Sequence, residues 1–289
     1  MLRNMKKLVS LALVLALSIM VCAPTFAKGD ARENDSTNRQ VNLIELLNDG
    51  QYVRQQETRI NESLGIRPEA VEQYRTWLKI SQEKGYFHSD GNGHILVDPT
   101  DKQITPDGMW ENYLSRIDTI NELIDIGIVS FSEEKGLVSH ALECIKNPSI
   151  MKFATSSNEY KPNAEIFDLG GEVHNNFQQV NSVYSSQGYV IAVAFWIGKV
   201  QPYGDWDYKN QPGLTGQSFM CYYGSDDSKH ALHRTDWIGN YNYGYTGHLL
   251  FALSILHAGS AAVGGGPVVD QEDWPAIDEG YDDSGIIEW

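Results

Sequence analysis

Two residues of opposite charge, Asp207 and Lys209, lie two positions apart in the segment 204–209. Pro202 and Pro212 flank this segment and argue against an ordinary helix, because proline interrupts the hydrogen bonds of a helix interior. In an extended chain, side chains two positions apart point to the same side, so each charge would shift the pKa of the other. Such a pair suits acid/base catalysis. An exposed ion pair without a catalytic role is the alternative that the spacing leaves open.

The segment 239–247 reads Gly-Asn-Tyr-Asn-Tyr-Gly-Tyr-Thr-Gly. Glycine permits a positive φ and the close approach of another backbone, and the side chains of Asn240 and Tyr243 offer oriented hydrogen bonds without charge. These features favour a segment that holds a ligand. A tyrosine-rich turn that packs on the core is the alternative, and the composition does not separate the two.

The apolar run 248–258 predicts a buried helix that Gly259 ends. His248 and His257 lie nine positions apart in this run, so they fall on opposite helix faces and cannot bind one metal ion together. We expect His257 to be a core residue. His248, which follows the glycine-rich segment directly, is the better candidate for a site.

The chain is strongly acidic, with 22 Lys and Arg against 38 Asp and Glu and a net charge of -16. This charge disfavours broad electrostatic binding of nucleic acid. From Asp236 onward there are nine acidic residues and no Lys or Arg, and the segment 229–234, expected as an exposed loop, is the one basic cluster of the later part. A solvated acidic tail is expected. A bound divalent cation such as calcium stays open, and the cofactor is otherwise unknown.

The first 27 residues have the pattern of a secretory signal peptide, with Arg3, Lys6 and Lys7, an apolar stretch, and a small-residue cleavage pattern that ends at Ala27. The polar segment 28–40 is expected to be a disordered leader. We therefore expect a secreted, extracellular protein with no transmembrane segment in its mature chain.

Cys144 and Cys221 are the cysteines that follow the predicted signal peptide. Outside the cytoplasm an even number permits a disulfide bond, and two buried free thiols are the alternative. Neither a Cys-x-x-Cys motif nor a close Cys/His cluster occurs, which argues against a structural zinc site.

The periodicity of apolar residues predicts a helical domain over residues 41–150. Apolar residues recur at helix spacing behind Pro68, and again behind Thr105-Pro106, where they include Trp110, Ile117 and Ile120. The segment 85–99 between them contains Gly91-Asn92-Gly93 and is predicted to be a turn or short hairpin. The apolar period lapses over 149–164, where we place a domain boundary. Residues 160–289 then form a mixed domain with the acidic tail, so the predicted fold class is α+β.

Four ordered motifs resemble the polymorphic toxin type 44 domain over roughly residues 165–285. They are the segment 206–209, the segment 239–247, the helix that ends at 257–259, and the segment 273–280. Two positions depart from the family pattern. Asn242 stands where members often carry histidine, and Trp274 follows Asp273 where an Asp-Gln pair is usual.

The resemblance implies the C-terminal toxin domain of a secreted bacterial effector, with hydrolase as the expected activity and an immunity protein as a partner. It implies Asp207 as the acid/base, Lys209 as its electrostatic partner, and Asn240 and Tyr243 as orienting donors. Asp273 joins this set, and His248 would take the place of the family's histidine if that histidine is catalytic. A cell-envelope substrate is expected. The alternatives are a nuclease toxin and a non-catalytic protein that binds glycans or the cell wall.

Overall fold

The computed structural model describes residues 43–98, 110–152, 166–224, 228–264 and 273–285. The predicted signal peptide and leader lie outside these residues and stay predictions. The first half comprises the following elements: α1 (Leu43–Asn48), α2 (Gly50–Ser63), α3 (Pro68–Glu83), β1 (Phe87–Ser89), β2 (Ile95–Val97), α4 (Trp110–Asp125), β3 (Val129–Ser132), β4 (Gly136–Ser139) and α5 (Ala141–Lys146).

Local signals explain the helices of this half. Pro68 starts α3, and the Asp49 carboxylate accepts a hydrogen bond from the Gln51 N–H at the start of α2. Ile117 and Ile120 recur at helix spacing on α4 and are buried. The antiparallel pairing of β1 with β2 confirms the predicted hairpin over 85–99. A second hairpin, β3 with β4, was not predicted.

The second half comprises the following elements: β5 (Ile166–Asp168), α6 (Leu169–Gln187), α7 (Tyr189–Val200), a 3₁₀ helix (Tyr208–Asn210), β6 (Ser218–Tyr223), β7 (Lys229–Arg234), α8 (Thr235–Gly247), α9 (Leu253–Gly264) and α10 (Trp274–Asp283). The three strands form one sheet in the order β5–β6–β7, with β5 parallel to β6 and β7 antiparallel to β6. The prediction of an α+β fold is thereby confirmed.

The main apolar core contains side chains from both sides of the predicted domain boundary. Leu123 and Cys144 precede the boundary, and Val193 and Tyr241 follow it. The helix α7 is apolar around most of its circumference and lies inside this core, as expected for a helix without a polar face. The independent folding of the two halves stays a prediction.

Within the described ranges, no helix combines the length and the apolar character needed to cross a membrane.

Candidate functional site

Asp207 and Lys209 do not form the extended pair that their spacing predicted. The backbone at Tyr208–Asn210 is a 3₁₀ helix, and Lys209 points outward as an exposed residue. Asp207 is buried, and its Oδ2 accepts hydrogen bonds from the Tyr203 N–H at 2.8 Å and from Asn210 Nδ2 at 2.6 Å. Asp207 therefore holds the preceding turn in shape.

The segment 239–247 is a helix and not the predicted turn. It forms most of α8, and two glycines bring α8 and α10 into direct backbone contact. A Cβ on Gly244 would lie 2.1 Å from the Ile277 carbonyl oxygen, and one on Gly280 would lie 2.0 Å from that of Tyr241. The glycines here permit close helix packing, which is one of the two properties that motivated the ligand-holding hypothesis.

The other predicted site residues are spread along α8 and α10. Asn240 is half-buried on α8, and the Tyr243 hydroxyl donates to the carbonyl of Leu256 at 3.2 Å. Burial raises the pKa of Tyr243. Asp273 directly precedes α10, and its carbonyl accepts the Ala276 N–H. The structure thus brings α8 and α10 together without forming one cluster from these side chains.

His248 is buried at the end of α8 and ties this helix to α10. Its ring stacks on Tyr281 with centroids 3.4 Å apart, and its Nδ1 lies 2.8 Å from the Tyr281 carbonyl and 2.6 Å from Ser284 Oγ. The predicted helix 248–258 is in fact interrupted by a turn, and α9 begins at Leu253. His257 lies on α9, where its Nε2 is 2.5 Å from Asp278 Oδ1.

A buried polar network connects the first two predicted motifs through residues other than the predicted ones. Asn176 Nδ2 donates to the Tyr208 hydroxyl at 2.9 Å and to Asn242 Oδ1 at 3.0 Å. Tyr208 belongs to the segment 206–209, and Asn242 belongs to the segment 239–247. The Tyr208 hydroxyl in turn donates to Glu172 Oε1 at 2.8 Å.

The donors of this network fix its direction. Asn176 supplies both of its amide hydrogens, so the Tyr208 oxygen accepts one and the single Tyr208 proton is directed to Glu172. The Glu172 side chain is thereby oriented through one oxygen, which leaves Oε2 for another partner. Glu172 is half-buried, whereas Asn176 and Asn242 are buried, so the network runs from the interior to the accessible carboxylate.

The inner end of the network has one unused donor. Asn242 Nδ2 has no hydrogen-bond partner among the described residues, although Asn242 is fully buried. The Asn242 carbonyl accepts the Thr246 hydroxyl at 2.6 Å, and Thr246 Oγ1 accepts the Trp196 Nε1–H at 2.9 Å. A buried amide donor without a partner costs about 1 to 3 kcal/mol, so this position is not optimised for stability alone.

The basic segment 229–234 is a strand, which corrects the expected exposed loop. Half-buried and exposed residues alternate along β7, and Lys229 and His233 are among the half-buried ones. Lys229 Nζ contacts Asp283 Oδ2 at 2.7 Å and Glu279 Oε1 at 3.0 Å. Burial lowers the pKa of Lys229, but the hydrogen bonds and charges of Asp283 and Glu279 outweigh burial and raise it overall.

The described residues contain no group of three or more His, Cys, Asp or Glu side chains placed to hold a metal ion. Cys144 and Cys221 are both free and buried, which decides between the two alternatives left open for them. Burial raises the pKa of Cys144 to about 11 and that of Cys221 to about 12. Neither thiol is therefore a ready nucleophile.

Sequence reasoning missed Glu172 and Asn176, the two members of the network on α6. They lie four positions apart, which places them on the same face of a helix, and this spacing was a usable signal. Tyr208 and Asn242 were inside recognised motifs, but neither was named as a site residue.

Neither a protein-family model, nor a curated protein, nor a solved structure matches this chain.

Proposed function

We propose that the protein is an exported, toxin-like effector that hydrolyses a component of the cell envelope, with Glu172 as its acid/base. The observation that carries this proposal is the hydrogen bond from Tyr208 to Glu172, backed by Asn176 and Asn242. This chain of contacts joins the two motifs that carry the resemblance to the toxin 44 domain. It ends on a carboxylate, and carboxylates, like histidine, commonly transfer protons in enzymes.

The surroundings of Glu172 suit a proton acceptor. The carboxylate lies in the first turn of α6 and is half-buried, so it is held by the helix and still reached from solvent. The Tyr208 hydroxyl fixes Oε1, and Oε2 would take a proton from the attacking water and return it to the leaving group. Asp207 supports this arrangement indirectly, because it holds the turn that precedes Tyr208.

Charge supports an envelope substrate over a nucleic acid. The net charge is -16, and the lysine and the arginine of the basic segment 229–234 are both paired with carboxylates. Lys229 contacts Asp283 and Glu279, and Arg234 Nη2 lies 3.2 Å from Asp236 Oδ2. Little positive charge is left there to attract phosphates.

The location of the target is tested by expressing the chain in a bacterium in two forms. One form keeps residues 1–27, and the other replaces them with a single methionine. We expect growth arrest with the first form and none with the second at equal protein levels. Arrest by the second form alone would contradict the proposal and indicate an internal target such as nucleic acid.

A further inference from the structure

The sheet β5–β6–β7 has an apolar outer face. Among the described residues, eight large apolar or aromatic side chains are exposed, and half of them lie on this face. They are Ile166 on β5, Met220 and Tyr222 on β6, and Leu232 on β7, with exposed fractions of 55%, 37%, 40% and 66%. A sheet that packs one face on the core normally presents polar side chains on the other face. The outer face of this sheet departs from that pattern.

Three of these side chains form one unbroken row across the sheet. Ile166 pairs with Met220, and Met220 pairs with Leu232, so the three residues are cross-strand neighbours. Because adjacent strands lie about 5 Å apart, the row extends over roughly 10 Å. A contiguous exposed apolar patch with a polar rim is typical of a protein interface, whereas single exposed apolar residues need no explanation.

Polar side chains lie on both sides of this row. On one side, Asp168, Tyr222 and His230 form the next cross-strand row, and the Tyr222 and His230 rings stack with centroids 5.9 Å apart. On the other side, Ser218 pairs with Arg234. The acidic Asp168 on β5 and the basic His230 on β7 therefore lie at opposite edges of the face.

This pattern is self-complementary, which favours a second copy of the chain as the partner. Two copies can stack face to face around a two-fold axis parallel to the strands, with β5 of one copy over β7 of the other. Asp168 then meets His230 of the second copy, and a carboxylate accepts the N–H that an imidazole donates. Ile166 lies over Leu232 of the second copy, and Met220 lies over its own counterpart.

The charges of the face favour this axis over the alternative one. A two-fold axis perpendicular to the strands would place His230 opposite Arg234 of the second copy, and Asp168 would lose its basic partner. Like charges that face each other across an interface oppose association. The parallel axis avoids this arrangement and pairs groups of opposite charge.

We propose that the outer face of the sheet β5–β6–β7 is a homodimer interface with a two-fold axis parallel to the strands. This inference is independent of the proposed function. By strand spacing and length, the three strands cover roughly 300 Å² in each copy, which is less than the roughly 800 Å² per partner of a standard interface. The net charge of -16 on each copy also opposes association. The dimer is therefore weak and reversible.

Sedimentation equilibrium tests the dimer with the chain in which one methionine replaces residues 1–27. Salt at roughly 0.3 M limits the charge repulsion to less than about 10 Å. We expect the average mass to rise from monomer toward dimer between about 1 and 500 µM, the range of a weak interface. Leu232→Asp places a charge in the apolar row and should abolish this rise. The matched control is Leu96→Asp, because Leu96 is also an exposed leucine on a strand but lies outside this sheet.

Two substitutions of His230 test the orientation of the copies. His230→Lys gives Asp168 of the second copy a positive partner and should tighten the dimer by roughly 2- to 30-fold, the size of two exposed ion pairs. His230→Asp should weaken the dimer, because two carboxylates then face each other. His230 is exposed, so both variants should keep the wild-type melting temperature.

A wild type that stays monomeric up to about 500 µM would overturn the proposal and leave the face to a different partner. Wild-type association of Leu232→Asp, or an equal loss of association in Leu96→Asp, would overturn it as well. If Leu232→Asp does not fold, the His230 variants decide. Failure of His230→Lys to tighten the dimer, or of His230→Asp to weaken it, would show that the assigned axis is wrong.

Discussion

The Tyr208 hydroxyl donates a 2.8 Å hydrogen bond to Glu172 across a separation of 36 residues. The partner that makes this direction obligatory is Asn176, which occupies the acceptor side of the same hydroxyl. The contact turns a half-buried carboxylate into an oriented one. Orientation of this kind is what a general acid/base needs before its substrate arrives.

Tyr208→Phe removes this hydrogen bond and keeps the ring. We expect activity to fall by up to about 100-fold, the cost of misplacing a catalytic group by about 1 Å. We also expect a loss of about 1 to 3 kcal/mol in the free energy of unfolding, because one Asn176 hydrogen loses its buried acceptor. Growth arrest and denaturant titration measure the two effects. Tyr222→Phe is the control, since its exposed hydroxyl should matter to neither.

Asn176 and Asn242 should be energetically coupled. Each single change to alanine is expected to cost about 1 to 3 kcal/mol, because each leaves buried polar groups unpaired. The double variant should cost less than the sum of the two single changes by about 0.5 to 3 kcal/mol, the usual coupling of residues in one hydrogen-bond network. Denaturant unfolding of the wild type, the two single variants and the double variant completes the double-mutant cycle. Strict additivity would show that the 3.0 Å contact between them contributes nothing.

The amphipathic helices were predictable from the sequence because their signals are local. The spacing of Ile117 and Ile120 indicated α4, and Gly91 and Gly93 indicated the turn between β1 and β2. The segment 239–247 was harder. Its three glycines lower helix propensity, and the packing of α10 against Gly244 is a tertiary contact that the local sequence does not show.

The network could not be predicted as a whole because its contacts are distant in sequence. Asn176 reaches Tyr208 across 32 residues and Asn242 across 66. Helix spacing places Glu172 and Asn176 on one face, but it does not say which element that face meets. The resemblance had singled out the two segments that contact this face, 206–209 and 239–247. It indicated Asp207 and Asn240, whereas in the structure Tyr208 and Asn242 each accept a hydrogen bond from Asn176.

Gly244→Ala should destabilise the protein, whereas Gly239→Ala should not. Both glycines lie in α8, and a Cβ on Gly244 would collide with the Ile277 carbonyl. A Cβ on Gly239 would have no heavy atom within 4 Å apart from its chain neighbours and the backbone of its own helix. We expect a loss of about 1 to 3 kcal/mol at Gly244 from overpacking and a gain of about 0.5 to 1 kcal/mol at Gly239 from helix propensity. The melting temperatures of both variants, compared with that of the wild type, test these two expectations. Equal effects would mean that α10 does not pack on Gly244 as described.

The protonated His94 ring should stabilise the protein at low pH, and this contribution should be lost as the pH rises. The hydrogen bond to Asp125, 2.7 Å from His94 Nε2, outweighs burial and raises the pKa of His94, and the charges of Asp125 and Asp90 add to this. A raised folded-state pKa gives a contribution that is complete below about 6.5 and is lost as the pH rises through the raised value.

The variant His94→Gln tests this pH dependence. Its melting temperature should lie below that of the wild type at pH 5.5, and the difference should shrink at pH 8.5. A difference that grows with pH would show that the neutral ring, and not the imidazolium, is the stabilising form.

The most direct test compares Glu172→Gln with Glu111→Gln in the exported protein. Both glutamates lie in the first turn of a long helix, but Glu111 is exposed and far from the network in sequence. At equal levels of folded protein, we predict that Glu172→Gln abolishes growth arrest, with at least about a 100-fold loss of activity, and that Glu111→Gln arrests growth as the wild type does. Full growth arrest by Glu172→Gln would contradict the assignment of Glu172 as the acid/base.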